Sequence, residues 1–234
     1  MDNNFEYISR NAERIKREVA DAAKKYGRDP EEITVLSAIK YADAEEIGYL
    51  VSSAGIDTVG ENRVQQLLER YEILSKSGVS IHFIGSLQTN KVKYIVDKVD
   101  LIHSLDSEKL AKEIDKQCAK IGKVMNVLCE INCGREENKS GIMPEDAEEF
   151  CLGLSKYKHI KLCGFMTMAP AGSDFEEYRK YFSETAQLAL DIWHKKLDNI
   201  ERPIISMGMS GSFEAAIAEG STIVRIGRSF FVKD

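Results

Sequence analysis

Lys40 closes the stretch Ile33-Thr34-Val35-Leu36-Ser37-Ala38-Ile39-Lys40, an apolar, β-branched run of strand length. Desolvating an ammonium is costly, so lysines are rarely buried. Read alone, Lys40 is either the point where a strand reaches solvent or an amine held to form a Schiff base. Arg225 is a second charge in an apolar setting, inside Ile223-Val224-Arg225-Ile226-Gly227. Alternation puts it on the face of Ile223 and Gly227, with Val224 and Ile226 opposite. It is either half of an interior ion pair or a donor to the nitrogen of a ligand ring. The third feature is Met207-Gly208-Met209-Ser210-Gly211-Ser212, running into Phe213-Glu214-Ala215-Ala216-Ile217-Ala218. Such a helix start has unsatisfied N–H groups and a positive dipole, which suit a phosphate, and Gly227 lets a second backbone approach closely. The alternative is an ordinary N-cap at Ser210 or Ser212 with a turn glycine. Taken together, a Schiff-base lysine, a phosphate cradle and an arginine at a ring nitrogen are what proteins supply to pyridoxal phosphate.

These residues need a scaffold that brings them to one place. Residues 3–26 have helical spacing, with Phe5, Ile8, Ala12, Ile15, Val19 and Ala22 on one stripe; Gly27 and Pro30 close it. Strand candidates follow at 33–39, 56–60, 80–85, 101–105, 124–132, 161–167, 204–208 and 221–226. Helical stretches lie between them at 43–54, 61–76, 88–98, 107–120, 144–157, 174–197 and 212–219. Ser107, Pro144 and Ser173-Asp174 sit at helix starts, and Gly55 and Gly220 at helix ends. Eight strands joined by helices predict a parallel sheet of right-handed crossovers closed into a (β/α)8 barrel of the TIM type, over residues 1–234 as one domain. The helix before strand one is expected to fill the place in the outer ring left because no helix follows strand eight. An open doubly wound sheet is the alternative, but no GxGxxG follows strand one. In such a barrel the working face is the C-terminal end of the strands. Lys40, Gly60-Glu61-Asn62, the stretches after His82 and His103, Thr167-Met168, Ser206 to Ser210 and Arg225 to Gly227 all gather there.

The composition narrows the function. The chain has 234 residues and a formal net charge of −6, with no basic footprint for nucleic acid. Its five cysteines show no CxxC or histidine partner for zinc, so no metal site is expected and reduced packing thiols are. The start Met1-Asp2-Asn3-Asn4-Phe5-Glu6 lacks the pattern of a signal peptide, and no apolar run reaches the roughly 18 residues of a membrane span. A cytoplasmic protein with no membrane partner is expected.

Several stretches together carry a family resemblance over nearly the whole chain. They are Gly60-Glu61-Asn62-Arg63-Val64-Gln65, His82-Phe83-Ile84-Gly85-Ser86-Leu87-Gln88-Thr89-Asn90-Lys91, His103-Ser104-Leu105-Asp106, Lys139-Ser140-Gly141, Gly164-Phe165-Met166-Thr167-Met168, Ser206-Met207-Gly208-Met209-Ser210 and Glu214 to Gly227. With them the chain resembles the pyridoxal phosphate homeostasis proteins, the YggS/PROSC family, which look like the barrel domain of alanine racemase standing alone. The resemblance implies that Lys40 forms the internal aldimine, that Ser210 and the backbone around Gly227 bind phosphate, and that Arg225 lies near the pyridine nitrogen. It further implies that Asn62, Met168, Ser206 and Met207 line the pocket. The chain departs from the family in having Ile39-Lys40-Tyr41 for Ser-Lys-Thr, Gly211-Ser212 where acidic residues are usual, and Arg228 where a small residue is usual.

An arginine at the pyridine nitrogen keeps the ring unprotonated, a weak electron sink, and the chain ends without the β-domain that supplies a second base in alanine racemases. The expected role is a non-catalytic carrier in pyridoxal phosphate homeostasis, a monomer able to pass the cofactor to apo-enzymes. A weak amino-acid racemase using Lys40 with a barrel histidine (His82 or His103) or solvent is the alternative, and a barrel for another phosphorylated metabolite is a third. Lys91, Lys139 and Arg228 are read as solvated surface or a second anion site.

Overall fold

The computed structural model describes residues 4–195 and 202–233. Met1 to Asn3, and the last two positions of the expected 174–197 helix, lie outside the described residues. Eight parallel strands close into a barrel in sequence order: β1 Thr34–Ala38, β2 Thr58–Glu61, β3 Ser80–Phe83, β4 Leu101–Leu105, β5 Met125–Ile131, β6 Ile160–Thr167, β7 Ile204–Ser206 and β8 Ile223–Ile226. The closing pair is β1 with β8, with Leu36 opposite Arg225 and Ser37 opposite Ile226. The strand ends that carry Lys40 and Arg225 are therefore neighbours.

Around the barrel run α1 Glu6–Lys25, α2 Ala44–Ser53, α3 Val64–Ser77, α4 Glu108–Ile121, α5 Ala147–Gly153, α6 Phe175–Trp193 and α7 Phe213–Ala218. α1 packs between α2 and α7, the place expected for it in the outer ring. Its buried stripe is Ile8, Ala12, Ile15, Val19 and Ala22, the residues whose helical spacing announced it. α2 and α6 start on reciprocal capping boxes, Asp43 with Glu46 and Asp174 with Glu177, each satisfying N–H groups that the first turn leaves unpaired. Two expected helices are different. The 88–98 stretch forms a 3-10 turn at Thr89–Tyr94, and 144–157 breaks into Pro144–Asp146, α5 and Leu154–Lys156.

The core is two-layered. Outward strand residues such as Val59, Phe83, Ile102 and Phe165 meet the buried faces of the helices. Inside the barrel, Leu36, Leu101, Leu128, Met166 and Ile223 form a smaller apolar cluster. Each fully buried aliphatic side chain stabilises the fold by roughly 1.5–3 kcal/mol. All five cysteines are buried. Among the described residues no helix is long and apolar enough to cross a membrane.

Candidate functional site

A cavity of about 610 Å³ opens at the C-terminal rim, lined among others by Lys40, Tyr41, Asn62, Glu130, Met168, Ser210, Arg225, Gly227 and Arg228. Lys40 lies just beyond β1, in the 3-10 turn Ile39–Tyr41. That turn is held from below. Arg70 of α3 donates from Nη1 to the carbonyl of Ile39 at 3.1 Å and from Nη2 to that of Ala42 at 2.8 Å. The same guanidinium pairs with Glu61 at the end of β2, a carboxylate with no solvent exposure. Glu61 Oε1 accepts in addition from the N–H of Asn62 at 2.7 Å and of Arg63 at 3.2 Å, where α3 starts. One buried pair thus fixes the lysine turn and the Asn62 loop together. Lys40 itself is exposed, with Nζ 5.0 Å from the centre of the Tyr41 ring. Arg228 approaches the same ring at 5.2 Å. Lys40 first, and Arg228 with it, hold the Tyr41 phenol below its usual range.

Arg225 enters the cavity floor from β8 and is only 6% exposed. Nη1 donates to the carbonyl of Ser206 at 2.8 Å and to its Oγ at 2.7 Å, while Nη2 donates to the carbonyl of Thr167 at 3.0 Å. A guanidinium has five N–H groups. Three are used, so one on Nη2 and the one on Nε have no acceptor among the described residues. Burial pulls the guanidinium down to about 10, against the opposing pull of Glu130. Arg225 therefore remains a cationic, donor-only group at neutral pH, suited to an acceptor such as an unprotonated ring nitrogen.

Two loops meet above it. Met209 N–H donates to Ser212 Oγ at 3.1 Å, and the N–H groups of Ser212 and Phe213 turn back to the carbonyl of Met209, each at 2.8 Å. The N–H groups of Ser210 and Gly211 make no hydrogen bond among the described residues. Across from them the 3-10 turn Arg228–Phe230 leaves the N–H groups of Arg228 and Ser229 likewise free. Ser229 Oγ lies 3.4 Å from Ser210 Oγ and joins the two loops. Four N–H donors and the Arg228 cation at one mouth suit a phosphate group. Gly208 makes the close approach possible: its φ is +91°, and a Cβ there would lie 2.6 Å from that of Ala216.

Of the residues named from sequence, Lys40, Asn62, Met168, Ser210, Arg225 and Gly227 line the cavity. Ser206 and Met207 do not. Ser206 is fully buried beneath Arg225 as its acceptor. Met207 points the other way, into the layer between barrel and helices. His82 and His103 are not rim residues either. They lie in the barrel interior, hydrogen-bonded to each other and to serines. Sequence reasoning missed Glu130, buried in the cavity wall, where Ser140 donates to its Oε1 at 2.7 Å. Burial raises its carboxyl above the usual range. Its signal was the one that exposed Arg225: a charge inside an apolar strand, here Val127-Leu128-Cys129-Glu130-Ile131.

Residues 4–233 match the model of the alanine racemase N-terminal domain family. The pyridoxal phosphate homeostasis protein of Aquifex aeolicus (strain VF5) is 42% identical over 98% of this chain and 97% of its own length. The chain belongs to the pyridoxal phosphate homeostasis protein family. The homeostasis protein of Escherichia coli (strain K12) is 33% identical over 96% of this chain and 95% of its own. Among solved structures, PipY of Synechococcus elongatus PCC7942 with PLP bound superposes with a TM-score of 0.79 at 27% identity, covering 92% of this chain and 100% of that one. The alanine racemase of Corynebacterium glutamicum shares the barrel alone, with a TM-score of 0.73 at 14% identity over 62% of its length.

Proposed function

We propose that this protein binds pyridoxal 5'-phosphate at the rim cavity and holds it as a Schiff base on Lys40, as a carrier in cytoplasmic cofactor homeostasis. One observation carries the reading: an accessible amine, four unpaired backbone N–H groups and a buried arginine with two unused N–H groups converge on one cavity. They match the aldehyde, the phosphate and the ring nitrogen in turn. Bound pyridoxal phosphate supplies an aldehyde for amine capture and a ring able to accept electrons. Lys40 is the amine, with Arg70 and Glu61 setting its turn. The loops at Ser210 and Arg228 take the phosphate, and Asn62 and Met168 border the ring. Arg225 has only donors and cannot accept from a protonated ring nitrogen, so it would donate to an unprotonated one and keep the ring a poor electron sink. That favours storage and delivery of the cofactor, by a monomer, to apo-enzymes over turnover of amino acids.

The test is to add pyridoxal phosphate, reduce with borohydride and locate the modified lysine by peptide mass. Failure of wild-type protein to give a trappable chromophore removes the cofactor reading. Exchange of amino-acid α-protons at enzyme-like rates, lost in Lys40→Ala, would replace the carrier by a racemase.

A further inference from the structure

The inside of a (β/α)8 barrel is ordinarily filled by branched apolar side chains. Here a file of polar groups crosses it from one mouth to the other. Arg225 Nη1 donates to Ser206 Oγ at 2.7 Å, and Ser206 Oγ lies 3.0 Å from His103 Nδ1. His103 Nε2 is 3.0 Å from His82 Nδ1, and His82 Nε2 is 3.1 Å from Ser80 Oγ. Ser80 Oγ is 3.3 Å from Asp100 Oδ2, an exposed carboxylate that also accepts from the N–H of Ile81 at 2.8 Å. Ser80, His82 and Asp100 line a separate cavity of about 420 Å³ at the N-terminal ends of the strands. The file therefore joins the floor of the rim cavity to the opposite face of the molecule.

Its direction follows from one end. An ionised carboxylate only accepts, so the Ser80 hydroxyl must donate to Asp100. Ser80 then has only lone pairs for His82, whose Nε2 must carry the proton. A neutral imidazole has one N–H, so His82 Nδ1 accepts and His103 Nε2 donates to it. His103 Nδ1 is left as an acceptor, and the Ser206 hydroxyl donates to it. The Ser206 oxygen thus turns its lone pairs to Arg225, and hydrogen bonds aligned in one sense strengthen each other. Both rings are held neutral: burial lowers His82 to about 4, and burial, with His82 and Arg225 adding to it, holds His103 well below the usual imidazole range.

We propose that Asp100 is a remote positioning residue: through Ser80, His82, His103 and Ser206 it fixes the direction of every hydrogen bond that reaches Arg225. The consequence for a bound ring rests on the pyridoxal phosphate reading; the order of the file does not. Asp100→Ala removes the obligatory acceptor and lets Ser80 donate to His82, which permits the whole file to reverse. Ser80→Ala cuts the file one link later and serves as a second variant. Asp100→Asn keeps an oxygen at the same place and should rescue.

Nitrogen-15 NMR of the ligand-free protein, with four histidines to assign, reads the tautomers directly. Wild type and Asp100→Asn should hold His82 and His103 as Nε2–H tautomers. Asp100→Ala and Ser80→Ala should lose that order at His103 and shift the Arg225 guanidinium signals. In the loaded protein both alanine variants should weaken pyridoxal phosphate binding about fivefold, the effect of one hydrogen bond's worth of positioning. An Nδ1–H tautomer at His103 in wild type would overturn the proposal. So would tautomers or Arg225 signals that Asp100→Ala and Ser80→Ala leave unmoved. If wild type bound no pyridoxal phosphate at all, the cofactor reading would fall and the tautomer result would still decide the file.

Discussion

Arg70 makes no direct contact with a ligand in this account, yet its loss should be among the most damaging single changes. Arg70→Ala would strand Glu61, a carboxylate with no exposure, and free the carbonyls of Ile39 and Ala42 on either side of Lys40. Removing one partner of a buried pair costs about 3–5 kcal/mol, because the remaining charge stays desolvated. At roughly 2–4 °C per kcal/mol for a chain of this size, the melting temperature should fall by about 10 °C. Urea unfolding at pH 7 gives the free energy. Adding Glu61→Gln, which keeps an acceptor for the N–H groups of Asn62 and Arg63 but removes the stranded charge, should recover about half of the loss. Protein that survives as Arg70→Ala should also capture aldehyde at Lys40 more slowly. A stability loss below about 1 kcal/mol would refute the reasoning, since it would put the pair in the class of solvated surface bridges.

Two further outcomes follow from the geometry. His82 titrates at about 4 in the fold against an ordinary 6.5, so its neutral form adds stability that is complete above pH 6.5 and is lost as pH falls toward 4. The loss should reach on the order of 3 kcal/mol at pH 4; the raised carboxyls of Glu130 and Asp106 act in the opposite sense, so the check is the difference in unfolding free energy between wild type and His82→Gln across that range. At Gly85 a Cβ would stand 2.1 Å from the carbonyl oxygen of Asn62, so Gly85→Ala must displace the Asn62 loop, with a stability cost of about 1–3 kcal/mol by thermal unfolding and weaker pyridoxal phosphate binding by titration.

Much of this was legible in the chain. Eight β-branched runs alternating with amphipathic stretches predict a closed barrel, and the count puts Lys40 and Arg225 at the same rim; that their strands are neighbours comes from the closing β1–β8 pair. The expected helical stretch at 88–98 is a short 3-10 turn at Thr89–Tyr94: Val92, Ile95 and Val96 are β-branched, and such residues fit an α-helix poorly. Met207 was separable from Ser206 by the same alternation used for strand eight, since neighbours on a strand face opposite ways. The histidines were harder. Alternation shows that they face inward, but how deep a strand residue sits depends on the stagger of the closed barrel, which no local pattern records. The clamp from Arg70 to the Lys40 turn links residues on separate elements, and only the packing of α3 against the barrel brings them together.

The most direct test of the account is covalent. Purified protein loaded with pyridoxal phosphate and reduced with borohydride should carry the phosphopyridoxyl group on the peptide containing Lys40, and Lys40→Ala should carry none at that site and lose the visible band of the bound cofactor. Labelling of a different lysine in wild type, or an unchanged band in Lys40→Ala, would contradict it.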